Sequence, residues 1–152
     1  MNVPGEHLNG VMSANEFLTR VNLMRGRSPE FETPLPDIEG RNVLVIGGGN
    51  TAIDVARTLK RLGVHDVCIA YRRTRAEMPA SEDEINDAEQ EGIVIEYLTA
   101  PCRIIGDSQG NVIGLECVCM KLKEPDESGR RRPVAINGSE LQAGRSPSGN
   151  SR

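Results

Sequence analysis

At 152 residues the chain has room for one ordinary domain with appendages and a real core. A formal net charge of −4 argues against generic nucleic-acid binding, although basic residues cluster locally. No apolar run approaches the length of a membrane span and no secretory signal opens the chain, so a soluble cytoplasmic protein with neither nucleic acid nor membrane as partner is expected.

Residues 13–25 read as a helix. Ser13 and Glu16 make a capping box, Met12 and Phe17 form a hydrophobic staple, and Phe17, Val21 and Met24 lie on one face. The stretch RSPEFETPLPDIEG shows neither helical period nor strand alternation, and its prolines mark a linker or wrapping loop. From Asn42 the pattern becomes orderly. Val43, Leu44, Val45 and Ile46 form a short continuous apolar strand, the signature of a parallel sheet buried on both faces. Three glycines follow, then a helical stripe of Ala52, Val55, Ala56, Leu59 and Leu62 that ends at Gly63. DVCIAY, residues 66–71, is a second strand, so strand, helix and strand span the length of a βαβ unit. SEDEINDAEQEG reads as a helix capped by Ser81 and Glu84 and stopped by Gly92, its acids a solvated face that also favours the helix start. Strands follow in IVIEYL, CRIIG and VIGLECVCMKLK, the last two joined as an antiparallel hairpin by DSQGN. EPDESGRRRP is another polar turn, and the tail GRSPSGNSR, without an apolar anchor, is expected to be disordered.

Gly47, Gly49 and Ala52 match G-x-G-x-x-G/A between a strand and a helix, the setting that makes this pattern a dinucleotide fingerprint. The first glycine allows the tight turn, the second lets a pyrophosphate approach the backbone, and Ala52 keeps helix and strand close. The amides around Gly49, Asn50 and Thr51 then stand at a helix N-terminus, where partial positive charge meets phosphate. The exit of the second strand selects the dinucleotide. An NAD-preferring site carries an acid there, whereas Asp66 begins that strand and its exit reads Tyr71, Arg72, Arg73, Thr74, Arg75. Three guanidiniums beside the adenosine ribose suit a 2′-phosphate, so NADP(H) is expected over NAD(H). Asp54 either bonds local backbone or approaches a cofactor from another part of a larger protein. Cys68, Cys102, Cys117 and Cys119 form no C-x-x-C pair and read as small buried hydrophobes; no metal site is expected. Hydride transfer needs no acid or base from the protein, so no residue is put forward as catalytic.

The segments GEHLNGVMSANEFL, NVLVIGGGNTAIDVART, YRRTRAEMPASEDEI, EGIVIEYLTAPCRIIG and EPDESGRRRPV resemble, in this order, the small (beta) subunit of NADPH-dependent glutamate synthase and related FAD/NAD(P)-binding pyridine nucleotide-disulfide oxidoreductase-like proteins. Dihydropyrimidine dehydrogenase and ferredoxin-type NADP reductases look like more distant relations. The resemblance implies an α/β fold: a Rossmann-like NAD(P)-binding domain with a parallel βαβ core and an antiparallel β-meander, in three layers. It implies a flavoprotein in which NADPH gives hydride to FAD and electrons pass through iron–sulfur clusters to a large glutamate synthase subunit. There they reduce the imine formed from 2-oxoglutarate and ammonia. Carried onto this chain, the phosphate corner falls at Gly48, Gly49, Asn50 and Thr51, and the 2′-phosphate site at Arg72 and Arg73, with Arg75 a third candidate. No second glycine fingerprint and no cluster-binding cysteine set is present, so FAD and the clusters are expected mainly outside this stretch. Residues 1–26 would then be a remnant helix of the neighbouring FAD domain, 27–40 a linker, 41–140 the NADPH-binding domain and 141–152 a disordered or extraneous tail. Such a fragment is expected to bind nucleotide without turning over. The same domain would serve a ferredoxin:NADP or electron-bifurcating oxidoreductase subunit. A non-enzymatic NADPH-sensing or assembly module is the other class, and a pure interaction domain would bind no nucleotide.

Overall fold

The computed structural model describes residues 2–26, 38 and 40–143. The stretch expected to be a linker and the tail after residue 143 lie largely or wholly outside them. Residues 12–97 form one compact unit, and the residues before and after them together form a second.

The first unit is α/β. Helix α1 (Ala14–Gly26) starts as its capping signal predicts: the Glu16 amide donates to Ser13 Oγ at 3.2 Å. The Glu16 carboxylate does not return to the cap but accepts from Arg20 at 2.6 Å. Phe17 and Val21 are buried in the same core as α2 (Asn50–Arg61), with Met12 and Leu18 packed around them. Strands β1 (Asn42–Ile46), β2 (Asp66–Tyr71) and β3 (Val94–Tyr97) form a parallel sheet in the order β1-β2-β3. Because β2 is central, Val67, Ile69, Ala70 and Tyr71 are the buried strand residues, whereas in β1 Val45 alone is fully buried. The unbroken apolar run of β1 thus belongs to an edge strand, a difference from the expectation that follows from strand order. On α2 the buried stripe is Ala52, Ile53, Val55, Ala56 and Leu59. The helix stops where Gly63 takes φ +91° and its amide bonds the Lys60 carbonyl, a left-handed turn that a side chain resists. Helix α3 (Glu82–Gln90) is capped by Ser81, whose oxygen accepts from the Glu84 amide, and buries Ile85 and Ala88.

The second unit is an antiparallel meander of β4 (Thr99–Gly106), β5 (Val112–Pro125) and β6 (Arg131–Ala143), in that order. Both of its turns are built by an aspartate. Asp107 Oδ1 accepts from the amides of Gln109 and Asn111, and Asp126 Oδ1 from those of Ser128 and Arg130. The β4–β5 hairpin stands where the DSQGN signal predicts it. Strand β6 is a finding of the structure: only residues 124–133 of that region carried a reading, as a polar turn.

Candidate functional site

The strand register assembles the site. Ile46 pairs with Ala70, and the Gly47 amide donates to the Ala70 carbonyl at 3.1 Å. The chain therefore leaves β1 beside the last residues of β2, at the carboxyl ends of the strands, where open parallel sheets bind their ligands. Asp66 stands at the opposite end, exposed and 3.3 Å from His65.

Each small residue of the corner has its own task. Gly47 has φ +139°, a backbone conformation that favours glycine, and a Cβ there would meet the Ala52 Cβ at 3.4 Å. Strand and helix approach because both residues are small. Gly48 lies against the Tyr71 ring, and a Cβ on it would fall 2.5 Å from Cδ2. Gly49 caps α2, and a Cβ there would meet nothing within 4 Å, so this face of the corner is open. No side chain bonds the cap, and no acid stands in the first turn. Asn50 and Thr51 open the helix with exposed side chains and with amides that have no carbonyl a turn behind them. The first turn of α2 therefore presents donors and partial positive charge to any anion in front of Gly49.

Tyr71 was passed over in the sequence reading and turns out to hold the site together. Its hydroxyl donates to the Glu77 carbonyl at 2.7 Å while its ring supports Gly48. The loop closes on the corner a second time, through the Ala80 amide and the Gly48 carbonyl at 3.1 Å. Between these ties Thr74 caps a single 3-10 turn, Arg75–Glu77, in a reciprocal capping box with Glu77. That T-x-x-E signal was readable in TRAE and is the one sequence mark of the loop's order.

Arg72 and Arg73 sit on this loop. Burial raises the pKa of the Tyr71 phenol, and the positive charges of Arg73 and then Arg72 oppose that rise. Arg72 is exposed. Arg73 is half-buried, and its Nε is buried without a hydrogen-bond partner. Among the described residues neither arginine is in an ion pair. A buried donor left unpaired costs about 1–3 kcal/mol. Arg75 is placed differently. Its guanidinium is engaged by Glu82, Asn86 and Glu89 of α3.

Asp54 is exposed on α2, one turn beyond the corner. The four cysteines are thiols outside any disulfide, Cys117 fully buried, and among the described residues no group of three His, Cys, Asp or Glu side chains is placed to hold a metal. No helix among them is long and apolar enough to cross a membrane.

Comparison with known proteins places the chain in a family. A family model described as "Pyridine nucleotide-disulphide oxidoreductase" matches residues 1–148. The chain is 44% identical over 143 residues to the NADP(+)-dependent formate dehydrogenase subunit beta of Moorella thermoacetica, covering 93% of this chain and 19% of that one. It is 42% identical over 141 residues to the glutamate synthase [NADPH] small chain of Halomonas elongata, covering 90% and 29% respectively. The chain thus spans less than a third of either relative. Among solved structures, FprA of Mycobacterium tuberculosis in complex with NADPH superposes with a TM-score of 0.74 at 22% identity, over 94% of this chain and 44% of that one. At that identity the likeness speaks to the fold.

Proposed function

The chain belongs to the pyridine nucleotide-disulphide oxidoreductase family, and from that premise we propose that its first unit binds NADPH and presents it to a flavin held elsewhere in a longer oxidoreductase. The observation that carries the reading is the open face at Gly49, together with a buried, unpartnered Arg73 Nε on the loop after β2. The pyrophosphate would rest on the amides of Gly48, Gly49, Asn50 and Thr51. The 2′-phosphate would accept from Arg73 and Arg72, two charge-assisted bonds of about 1.5–3 kcal/mol each. NADPH, when bound, supplies a hydride; the residues of this chain bind and orient it and supply no proton. The Gly48 peptide, fixed by Tyr71 and Ala80, keeps the corner from yielding as the anion arrives.

The fit does not extend to FAD. The chain carries one glycine fingerprint, and it is the one assigned to NADPH. A flavin phosphate would need a second corner from the rest of the parent. Residues 1–26 are proposed to continue into that flavin domain in the parent, although within this chain Phe17 and Val21 of α1 pack with α2. Iron–sulfur clusters likewise belong to the parent.

For the parent, a glutamate synthase small subunit pairing with a large subunit is supported by the five matching segments and by 42% identity to such a chain. A second reading, an NADP-linked subunit of another electron-transfer complex, is favoured by 44% identity over 93% of this chain to the formate dehydrogenase subunit.

Calorimetric titration with NADPH and NADH tests the binding reading. NADPH is expected to bind at least tenfold more tightly than NADH, a difference of roughly 1.4 kcal/mol. Equal affinity for the two would reject the 2′-phosphate site, and no binding of either would reject the module. For the parent, 2-oxoglutarate-dependent NADPH oxidation by the full complex separates glutamate synthase from the second reading.

A further inference from the structure

We infer that Arg75 is a positioning residue for the choice of NADPH: it fastens the loop after β2 to α3 and so holds Arg72 and Arg73 at the anion site, without touching the nucleotide itself. This rests on the functional reading above.

The guanidinium is spoken for on several sides. Nε and Nη2 donate to Glu82 Oε2 at 3.1 and 3.0 Å, Nη1 donates to both Glu89 oxygens at 2.9 Å, and Nη2 donates to Asn86 Oδ1 at 2.6 Å. Glu82, Asn86 and Glu89 follow one another at helical spacing along a single face of α3. The positive charge of Arg75 also opposes the rise that burial gives the Tyr97 phenol at the end of β3. One side chain thereby ties the 3-10 turn to α3 at three positions. Lysine, with three donors on a point charge, cannot copy this fork.

Charge decides against a ligand role. One cation between two carboxylates leaves a cluster of formal charge −1, which would repel a phosphate. The value of Arg75 lies in where it puts its neighbours. Arg72, Arg73 and Thr74 occupy a short span pinned at one end by the Tyr71 ring under Gly48 and at the other by Arg75. Cations held in place lose less side-chain entropy on binding, so the pinning raises affinity only for the nucleotide they recognise.

The test is calorimetry on the full chain with NADPH and NADH, comparing wild type, R75Q, R75K, the double variant E82Q/E89Q and the control R72A/R73A. R75Q and R75K are expected to weaken NADPH about tenfold and NADH less than about twofold. The double variant separates the two roles by sign. If Arg75 positions its neighbours, freeing it from α3 weakens NADPH binding. If it were a ligand withheld by the carboxylates, freeing it would strengthen NADPH binding. Stronger NADPH binding by E82Q/E89Q, or an unchanged NADPH-to-NADH ratio in R75Q, overturns the inference. Should R75Q fail to fold, E89Q alone carries the same sign test. A wild-type chain without preference for NADPH sinks the functional reading and this inference together. A preference lost in R72A/R73A but intact in R75Q sinks the inference alone.

Discussion

Gly48 and Gly49 are adjacent and look equivalent in the sequence, yet substitutions at them should fail in different ways. A Cβ on Gly48 meets a ring whose hydroxyl is already tied down, so Gly48→Ala is expected to cost about 1–3 kcal/mol by overpacking, read as a lower Tm. A Cβ on Gly49 meets no protein atom within 4 Å. Gly49→Val is expected to cost no more than about 1 kcal/mol of stability, through a poorer N-cap for α2, and to abolish NADPH and NADH binding alike by filling the proposed pyrophosphate seat. Replacing both Arg72 and Arg73 with alanine should weaken NADPH by about a hundredfold or more and NADH little, measured by titration. The tasks of Gly47, Gly49 and Ala52 could be read from sequence because they are backbone requirements at fixed spacing. The tasks of Tyr71 and Arg75 could not. Tyr71 meets Gly48 through the β1–β2 register, and Arg75 meets Glu82 and Glu89 only once α3 has docked, and neither contact leaves a local pattern.

Elements with their own start and stop signals were legible for the same reason. Ser81 before three acids marks α3, and its oxygen does accept from the Glu84 amide. Ser81→Ala should cost about 1 kcal/mol, seen in chemical denaturation as a lower midpoint at unchanged slope. Strand β6 gave no such signal. Pro133, Gly138 and a run of arginines argue against a strand, and its pairing comes from β5 across two register shifts. What was visible was the turn before it. Asp126 is held below the usual carboxylate range, first by the Ser128 hydroxyl and then by the Arg130 amide; Asp107 is lowered first by the Asn111 amide. A carboxylate depressed in the folded state contributes its stability above the unfolded pKa and loses it as pH falls through the folded one. Melting of the meander should therefore become easier as pH drops below about 4, and Asp107→Asn with Asp126→Asn should flatten that dependence.

At the scale of the whole molecule, the two units divide what a longer oxidoreductase would need. The first carries the glycine corner with Arg72 and Arg73, which are in no ion pair among the described residues, and the chain matches relatives several times its length. In such a parent, R72A/R73A should raise the KM for NADPH in flavin reduction and leave the rate at saturating NADPH near wild type, since the cations grip the end of the nucleotide remote from the hydride. The Ala80–Gly48 bond bears on any attempt to exchange coenzyme preference by transplanting this loop. It closes the segment into a ring of fixed circumference whose clasp is the corner proposed to seat the pyrophosphate. A graft of another length would tug on that clasp, and the resulting enzyme would grip both coenzymes poorly instead of trading one for the other.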